Sequence, residues 1–245
     1  MKQDTDMNRR RFLGQAAAAA GLTIAPGVML YEVQARPADQ AVTSKVRWGM
    51  LIDTSKCDAG CTDCVTACKT ENGWGSTETK SSAEQQAQWI RKIELKDIST
   101  GHTQSLPVMC QHCESAPCVD VCPTTASMKR ADGVVLVDRH LCIGCRFCMM
   151  ACPYKARSFV HETLVDQKQH APRGKGCVEA CNLCVHKLDA GEGVTACSVS
   201  CTKGAITVGD LNDKNSEIAQ QLKNHKTTQI RADLGLNTGV RYRGI

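Results

Sequence analysis

The chain has 245 residues, seventeen of them cysteine and only nine aromatic, with a net charge of +5. That length holds one large or two small domains, and so little Phe, Trp and Tyr means that something other than side-chain bulk must fill its centre. The charge gives no argument for a nucleic-acid partner: residues 1–35 hold four basic and three acidic groups, leaving a scattered +4 downstream.

Residues 1–35 read as a targeting segment. Asn8-Arg9-Arg10-Arg11-Phe12-Leu13-Gly14 resembles the twin-arginine signature, followed by a weakly apolar stretch and a cleavage-like site after Val33-Gln34-Ala35. The other reading, an amphipathic or membrane-spanning helix, meets a short Ala- and Gly-rich run broken by Pro26. Seventeen cysteines in an exported chain ordinarily suggest disulfides. Twin-arginine export carries proteins already folded around their cofactors, so these thiols can leave the cytoplasm metal-bound.

Val46–Asp53 is an apolar, buried-strand candidate leading into Cys57, Cys61, Cys64 and Cys68, spaced C-x3-C-x2-C-x3-C. Gly60 can absorb the extra residue of the first step. Ser76–Ala83 is turn-like, and Gln88–Lys96 is a strand whose Trp89 belongs to the core. Cys110, Cys113, Cys118 and Cys122 form a second group, C-x2-C-x4-C-x3-C-P, with His112 inside it as a hydrogen-bonding neighbour rather than a ligand. Gly133–Asp138 is a strand entering the third group. Ala156–His161 and Ala205–Gly209 are further strand candidates. Cys181, Cys184, Cys197 and Cys201 form the fourth group, C-x2-C-x12-C-x3-C, with Cys177 as the odd thiol. Asp213 is a candidate N-cap for a helix over 214–224, and 229–245 carries no packed pattern.

The third group has the greatest specificity. Cys142, Cys145, Cys148, Cys152 and Pro153 give C-x2-C-x2-C-x3-C-P, in which three thiolates hold one 4Fe-4S cubane and the fourth reaches a second. A zinc site would use two C-x2-C pairs instead of an overlapping triplet. Applied to all four groups, this crossing pairs Cys110, Cys113 and Cys118 with Cys152, and Cys142, Cys145 and Cys148 with Cys122. It likewise pairs Cys57, Cys61 and Cys64 with Cys201, and Cys181, Cys184 and Cys197 with Cys68. Four 4Fe-4S clusters are expected, each fully thiolate-ligated, with no open iron for a substrate. No H-E-x-x-H, phosphate loop or G-x-G-x-x-G accompanies them, so no catalytic residue is expected. Arg139, Arg146, Lys155, Arg157 and Lys187 stand beside ligands in the chain and would favour the reduced state; each, taken singly, reads equally well as a solvated surface cation.

Taken together, DTSKC with KTENGWG, LPVMCQHCESAPCVDVCP, RADGVVLVDRHLCIGCRFCMMACPY, CNLCVHK and GDLNDKNSE resemble the four-cluster electron-transfer subunit family that serves polysulfide, nitrite and dimethyl sulfoxide reductases and hydrogenases. Within it, the leader, RWGMLID, CMMACPYKARSF and the C-x3-C step most resemble the periplasmic iron–sulfur subunits of the membrane complex associated with dissimilatory sulfite reductase. Thr202 departs from the pattern, standing where Pro commonly follows the last Cys. The resemblance implies an α+β fold of two pseudo-symmetric bacterial ferredoxin-like domains, each with two clusters, plus an irregular C-terminal extension. Its expected divisions are 1–35 signal, 46–105 with 156–210 as the first cluster pair and its insertion, 106–155 as the second, and 211–245 as helix and extended tail. It implies a periplasmic subunit peripherally attached to the membrane through a NrfD-like integral membrane subunit, with a multihaem cytochrome c as further partner. A molybdopterin oxidoreductase (polysulfide, thiosulfate or tetrathionate reductase), a hydrogenase or a nitrite reductase is the alternative setting. Two other classes make different predictions: an autonomous enzyme needs a cluster with an open iron, and a disulfide- or zinc-stabilised protein would be colourless.

Overall fold

The computed structural model describes residues 40–75, 85–164 and 167–245; the leader at 1–35 and the turn at 76–83 lie outside them. Residues Arg36–Ile245 form one compact unit. Its fold is mixed α+β.

The run of apolar residues in WGMLID makes β1 (Trp48–Asp53), which is buried on both faces. An uninterrupted apolar strand must be covered from both sides and paired along its edges. Its neighbours are β8 (Ile206–Asp210), antiparallel, and β9 (Val240–Arg243), parallel, giving the order β8-β1-β9. The tail expected to carry no packed pattern therefore supplies an edge of the central sheet. Its VRYR alternates, so Val240 and Tyr242 turn into the core while Arg241 and Arg243 point away from it. Before pairing, the tail crosses the loop of the second cysteine group, where Gly239 N donates to the carbonyls of Gln111 and His112. The Tyr242 hydroxyl donates to Pro107 O at 3.1 Å and accepts from Gln111 Nε2 at 3.2 Å.

A long hairpin, β2 (Ile90–Lys96) and β3 (Thr103–Met109), packs beside this sheet, with Ile90 opposite Met109 and Lys96 opposite Thr103. Two short hairpins complete the sheets: β4 (Ser127–Lys129) with β5 (Val135–Val137), and β6 (Ser158–Phe159) with β7 (Val178–Glu179). The helices are short: α1 (Asp63–Asn72), α2 (Pro117–Asp120), α3 (Phe147–Ala151), α4 (Val185–Asp189), α5 (Ala196–Val199) and α6 (Glu217–Asn224). Helix α1 packs on α5 and α2 on α3. Helix α6 begins later than the sequence suggested. Ser216 is its N-cap, accepting from Ala219 N, while Asp213 closes a turn by accepting from Asn215 N.

The core mixes cysteine sulfur with a few large side chains, among them Trp74, Trp89, Tyr154 and Tyr242. Trp89 donates to Glu179 Oε2 at 3.0 Å, and Arg173 bridges the buried carboxylates of Glu179 and Glu162, each at 3.0 Å. This network ties the segment between β6 and β7 to the turn after α1, because Arg173 also donates to Gly73 O.

Candidate metal centres

One local geometry recurs in all four cysteine groups. The residue before the second cysteine is left-handed every time: Gly60 (φ 79), His112 (φ 45), Gly144 (φ 72) and Leu183 (φ 56). Two of the four are not glycine, so the turn is imposed against a backbone cost. The third cysteine is always the second residue of a helix, Cys64 in α1, Cys118 in α2, Cys148 in α3 and Cys197 in α5. The x3 step then sets Cys68, Cys122, Cys152 and Cys201 about one helical turn further on. The extra residue of the first group falls before Gly60, upstream of this repeated turn. Gly144 is also needed for space, because a Cβ there would run into Gly176 O. That close approach lets Val178 N donate to Cys142 Sγ at 3.4 Å.

The sulfurs converge across groups. Cys57, Cys61, Cys64 and Cys201 line one pocket, and Cys110, Cys113, Cys118 and Cys152 line another. Cys181 feels the charges of Cys68, Cys197 and Cys184. Cys148 feels those of Cys142 and Cys122, with Cys145 in the same loop and more exposed than any other cysteine. Neighbouring sets meet through the helix-borne third cysteines, Cys64 with Cys197 and Cys118 with Cys148. All seventeen thiols are free of disulfides. Cys177 belongs to no set. It is buried, and its thiol donates to Arg139 O at 3.3 Å and lies 3.7 Å from Cys142 O.

Donors surround the sulfurs. Trp74 Nε1 reaches Cys68 Sγ at 3.3 Å and Asn72 Nδ2 at 3.5 Å. Backbone amides of Ser127, Leu183, Ala196 and Ala205 donate to Cys122, Cys181, Cys184 and Cys201 at 3.3–3.4 Å. Sulfur accepts such bonds best as thiolate. Burial works the other way, pushing Cys64 up to about 11 and Cys110, Cys113 and Cys197 up to about 12. Cys122 moves down: against burial, the Ser127 and Thr124 amides and the Thr124 hydroxyl hold its sulfur. A buried thiol this reluctant to ionise, yet ringed by donors, is suited to a metal that displaces its proton.

Arg157 shows what sort of metal group fits. It is buried, its Nη2 donates to Cys118 Sγ at 3.1 Å and Ser127 Oγ at 2.8 Å, and its Nε and Nη1 have no partner. Burial opposes its charge, but Cys118, Cys110 and Cys148 together raise its pKa. Such a guanidinium calls for a bulky anionic neighbour. A single zinc ion is the wrong size: Zn–S bonds of about 2.3 Å set tetrahedral sulfurs roughly 3.8 Å apart. Among the described residues, Glu71, His170 and His186 are the one group with three donor atoms within 4.8 Å of one another, so no three cysteine sulfurs lie that close. The wider thiol sets fit iron–sulfur clusters.

Of the five cations singled out from the sequence, Arg157 alone donates to a sulfur. Arg139 lies over the Trp89 ring, Arg146 over Phe159, and Lys187 pairs with Glu192; Lys155 contributes its carbonyl to Arg91. Lys92, which sequence reasoning missed, donates to the Asp58 and Cys61 carbonyls and acts on Cys57 and Cys64. It sits on β2, far in the chain from any cysteine, and carries no local signal. His112 accepts from Val135 N through Nδ1 at 3.0 Å, and burial, with Arg157's charge, pushes it down to about 4, so it stays neutral.

Thiol sets of this kind in an α+β frame define an iron–sulfur electron carrier. The 4Fe-4S dicluster domain family matches residues 102–211, a stretch holding the second, third and fourth cysteine groups. The chain is 37% identical to the Hdr-like menaquinol oxidoreductase iron-sulfur subunit 1 of Archaeoglobus fulgidus, over 96% of this chain and 97% of the relative. It is 34% identical to a tetrathionate reductase subunit of Salmonella typhimurium over 98% of this chain and 89% of that one. The menaquinone reductase iron-sulfur cluster-binding subunit of Nitratidesulfovibrio vulgaris is 31% identical, over 81% and 89%. The chain belongs to this family of iron–sulfur electron-transfer subunits of oxidoreductase complexes, and is not a catalytic subunit.

Proposed function

We propose that the chain is a periplasmic relay subunit of a respiratory membrane complex, exported by the twin-arginine route and carrying four 4Fe-4S clusters in two ferredoxin-like pairs. The ligands are Cys57, Cys61, Cys64 and Cys201; Cys68, Cys181, Cys184 and Cys197; Cys110, Cys113, Cys118 and Cys152; and Cys122, Cys142, Cys145 and Cys148. The observation that carries this reading is the convergence of the leading cysteines of each group with the fourth cysteine of a different group. When bound, such clusters pass single electrons and leave no open iron. The protein's own part is to hold the sulfurs, exclude water from them and set their charge environment through Arg157, Lys92 and the amide donors.

Residues 46–105 with 156–210, and 106–155, form the two pairs. The packing of α1 on α5 and of α2 on α3 supports that division. Tyr154 feels Cys113 and Cys152 of one pair, and Tyr242 feels Cys181 and Cys57 of the other together with Tyr154. One end of the relay is the Cys122/Cys142/Cys145/Cys148 set. Around it Val121, Leu141, Ile143, Phe147 and Met150 are exposed, Met150 by 77% and Ile143 by 68%. A patch of that kind marks an interaction surface, and Arg146 is the sole charge in residues 141–151. It suits an apolar, quinone-handling NrfD-like membrane subunit. Among the described residues no helix is long and apolar enough to cross the membrane; attachment through that subunit would be peripheral.

The relative named for menaquinol oxidation supports quinone as the membrane reactant. Within this class the sulfite-reduction-associated complex, with a multihaem cytochrome c, is our assignment, on RWGMLID and CMMACPYKARSF. The second reading, a molybdopterin oxidoreductase, draws on the likeness to the tetrathionate reductase relative. Purification from native membranes in mild detergent, with partners identified by mass, separates them. Recovery of a NrfD-like protein and a multihaem cytochrome supports the first, and recovery of a molybdenum-containing subunit replaces it with the second. A chain recovered without iron or acid-labile sulfide would overturn both.

A further inference from the structure

On the outer side of the Cys68/Cys181/Cys184/Cys197 set, three side chains unused by any cluster converge. Glu71 lies on α1 three residues after Cys68, His186 on α4 two residues after Cys184, and His170 on the loop closed by the Lys168–Ala171 bridge. Glu71 Oε1 is 2.7 Å from His186 Nε2 and 3.8 Å from His170 Nε2. The two imidazoles stack with centroids 4.0 Å apart and a tilt of 35°.

We propose that Glu71, His170 and His186 form a binding site for a zinc-class divalent cation. Two imidazoles and one carboxylate are a recurrent zinc donor set that leaves room for water, and Zn–N and Zn–O bonds of about 2.0–2.2 Å set tetrahedral neighbours roughly 3.3 Å apart. The separations of 2.7 and 3.8 Å bracket that value, so small side-chain shifts complete the site. His186 Nδ1 has no hydrogen-bond partner, so it is free to carry the proton when Nε2 turns to the metal. Two groups compete. His170 Nε2 also lies 2.9 Å from Glu71 O, a bond that ligation exchanges. Lys187 Nζ is 3.8 Å from Glu71 Oε1, but Glu192 Oε2 holds it at 3.2 Å and keeps it when Glu71 is taken. A bound ion would pin the His170 loop to α1, which carries Cys68, and to α4, which begins just after Cys184.

The test is calorimetric titration of the chelator-washed holoprotein with Zn2+, counting iron and sulfide per chain before and after. Saturable one-to-one binding is expected, weakened about 10- to 100-fold or more in His170→Ala and in Glu71→Gln, with iron content unchanged. No saturable binding, or binding as tight in His170→Ala, which would put the zinc on a stray thiol, overturns the proposal. Should Glu71→Gln lose iron because α1 carries cluster ligands, His170→Ala decides, since its loop carries none.

Discussion

Arg157 Nη2 donates to Cys118 Sγ at 3.1 Å, a contact spanning 39 residues of chain, and no other cation singled out from the sequence makes a bond of this kind. A buried positive charge against a ligating sulfur favours the electron-rich state of whatever that sulfur holds. Replacing Arg157 with Ala should lower one reduction potential by roughly 60–130 mV, taking about 1.5–3 kcal/mol for a charged hydrogen bond. Arg157→Lys should retain most of the effect. A redox titration followed by electron paramagnetic resonance reads it; an unmoved set of potentials would assign Arg157 to packing alone.

Arg173 answers two buried carboxylates, Glu162 and Glu179, and all three side chains are at most 3% exposed. Arg173→Ala strands both charges and should cost about 3–5 kcal/mol. The expected result is a large drop in the denaturant midpoint of the holoprotein. A change under about 1 kcal/mol would mean that water reaches the network.

Tyr242 is wholly buried and bonded to Pro107 and Gln111. Tyr242→Ala should destabilise by about 3–5 kcal/mol, and Tyr242→Phe, which keeps the ring, by about 1–2 kcal/mol. Equal losses in the two would show that the hydroxyl, and not the ring, holds the tail.

Cys177 donates as a thiol to backbone carbonyls, whereas Cys142 accepts from an amide. Cys177→Ala should leave iron and sulfide per chain unchanged, and Cys142→Ala should remove about a quarter of both in the four-cluster reading. Iron lost from Cys177→Ala would make it a ligand.

The proposed docking face is tested by Met150→Glu with Ile143→Glu. Both positions are exposed, so the folded chain should keep its iron while losing its hold on membranes, which sedimentation reads. Retention on membranes would move the interface elsewhere.

Much of this was legible in the chain, and the failures have physical causes. Strands β1, β2 and β8 announce themselves by β-prone runs, of which only the apolar β1 is buried along nearly its whole length. β3 does not, because Thr103-Gln104-Ser105 opens it and Pro107 interrupts it; Pro is tolerated there since a two-stranded ribbon has a free edge on each strand. β9 was missed because four residues with two arginines look solvated until a neighbour covers Val240 and Tyr242. The sulfur spacing was readable because each x2 and x3 step is local geometry. Lys92 and the tie from Arg173 to Gly73 were not, being contacts between distant segments.

The place of β9 bears on how the molecule is made. Residues 240–243 provide the parallel partner of β1, and with Gly239 they clamp the loop bearing Cys110 and Cys113. Being the last strand in chain order, β9 reaches β1 only after every strand between them has been made, so the Cys110–Cys113 loop gains its clamp late. Until then the carbonyls of Gln111 and His112, on either side of the left-handed turn before Cys113, lack the amides of Gly239 and Val240.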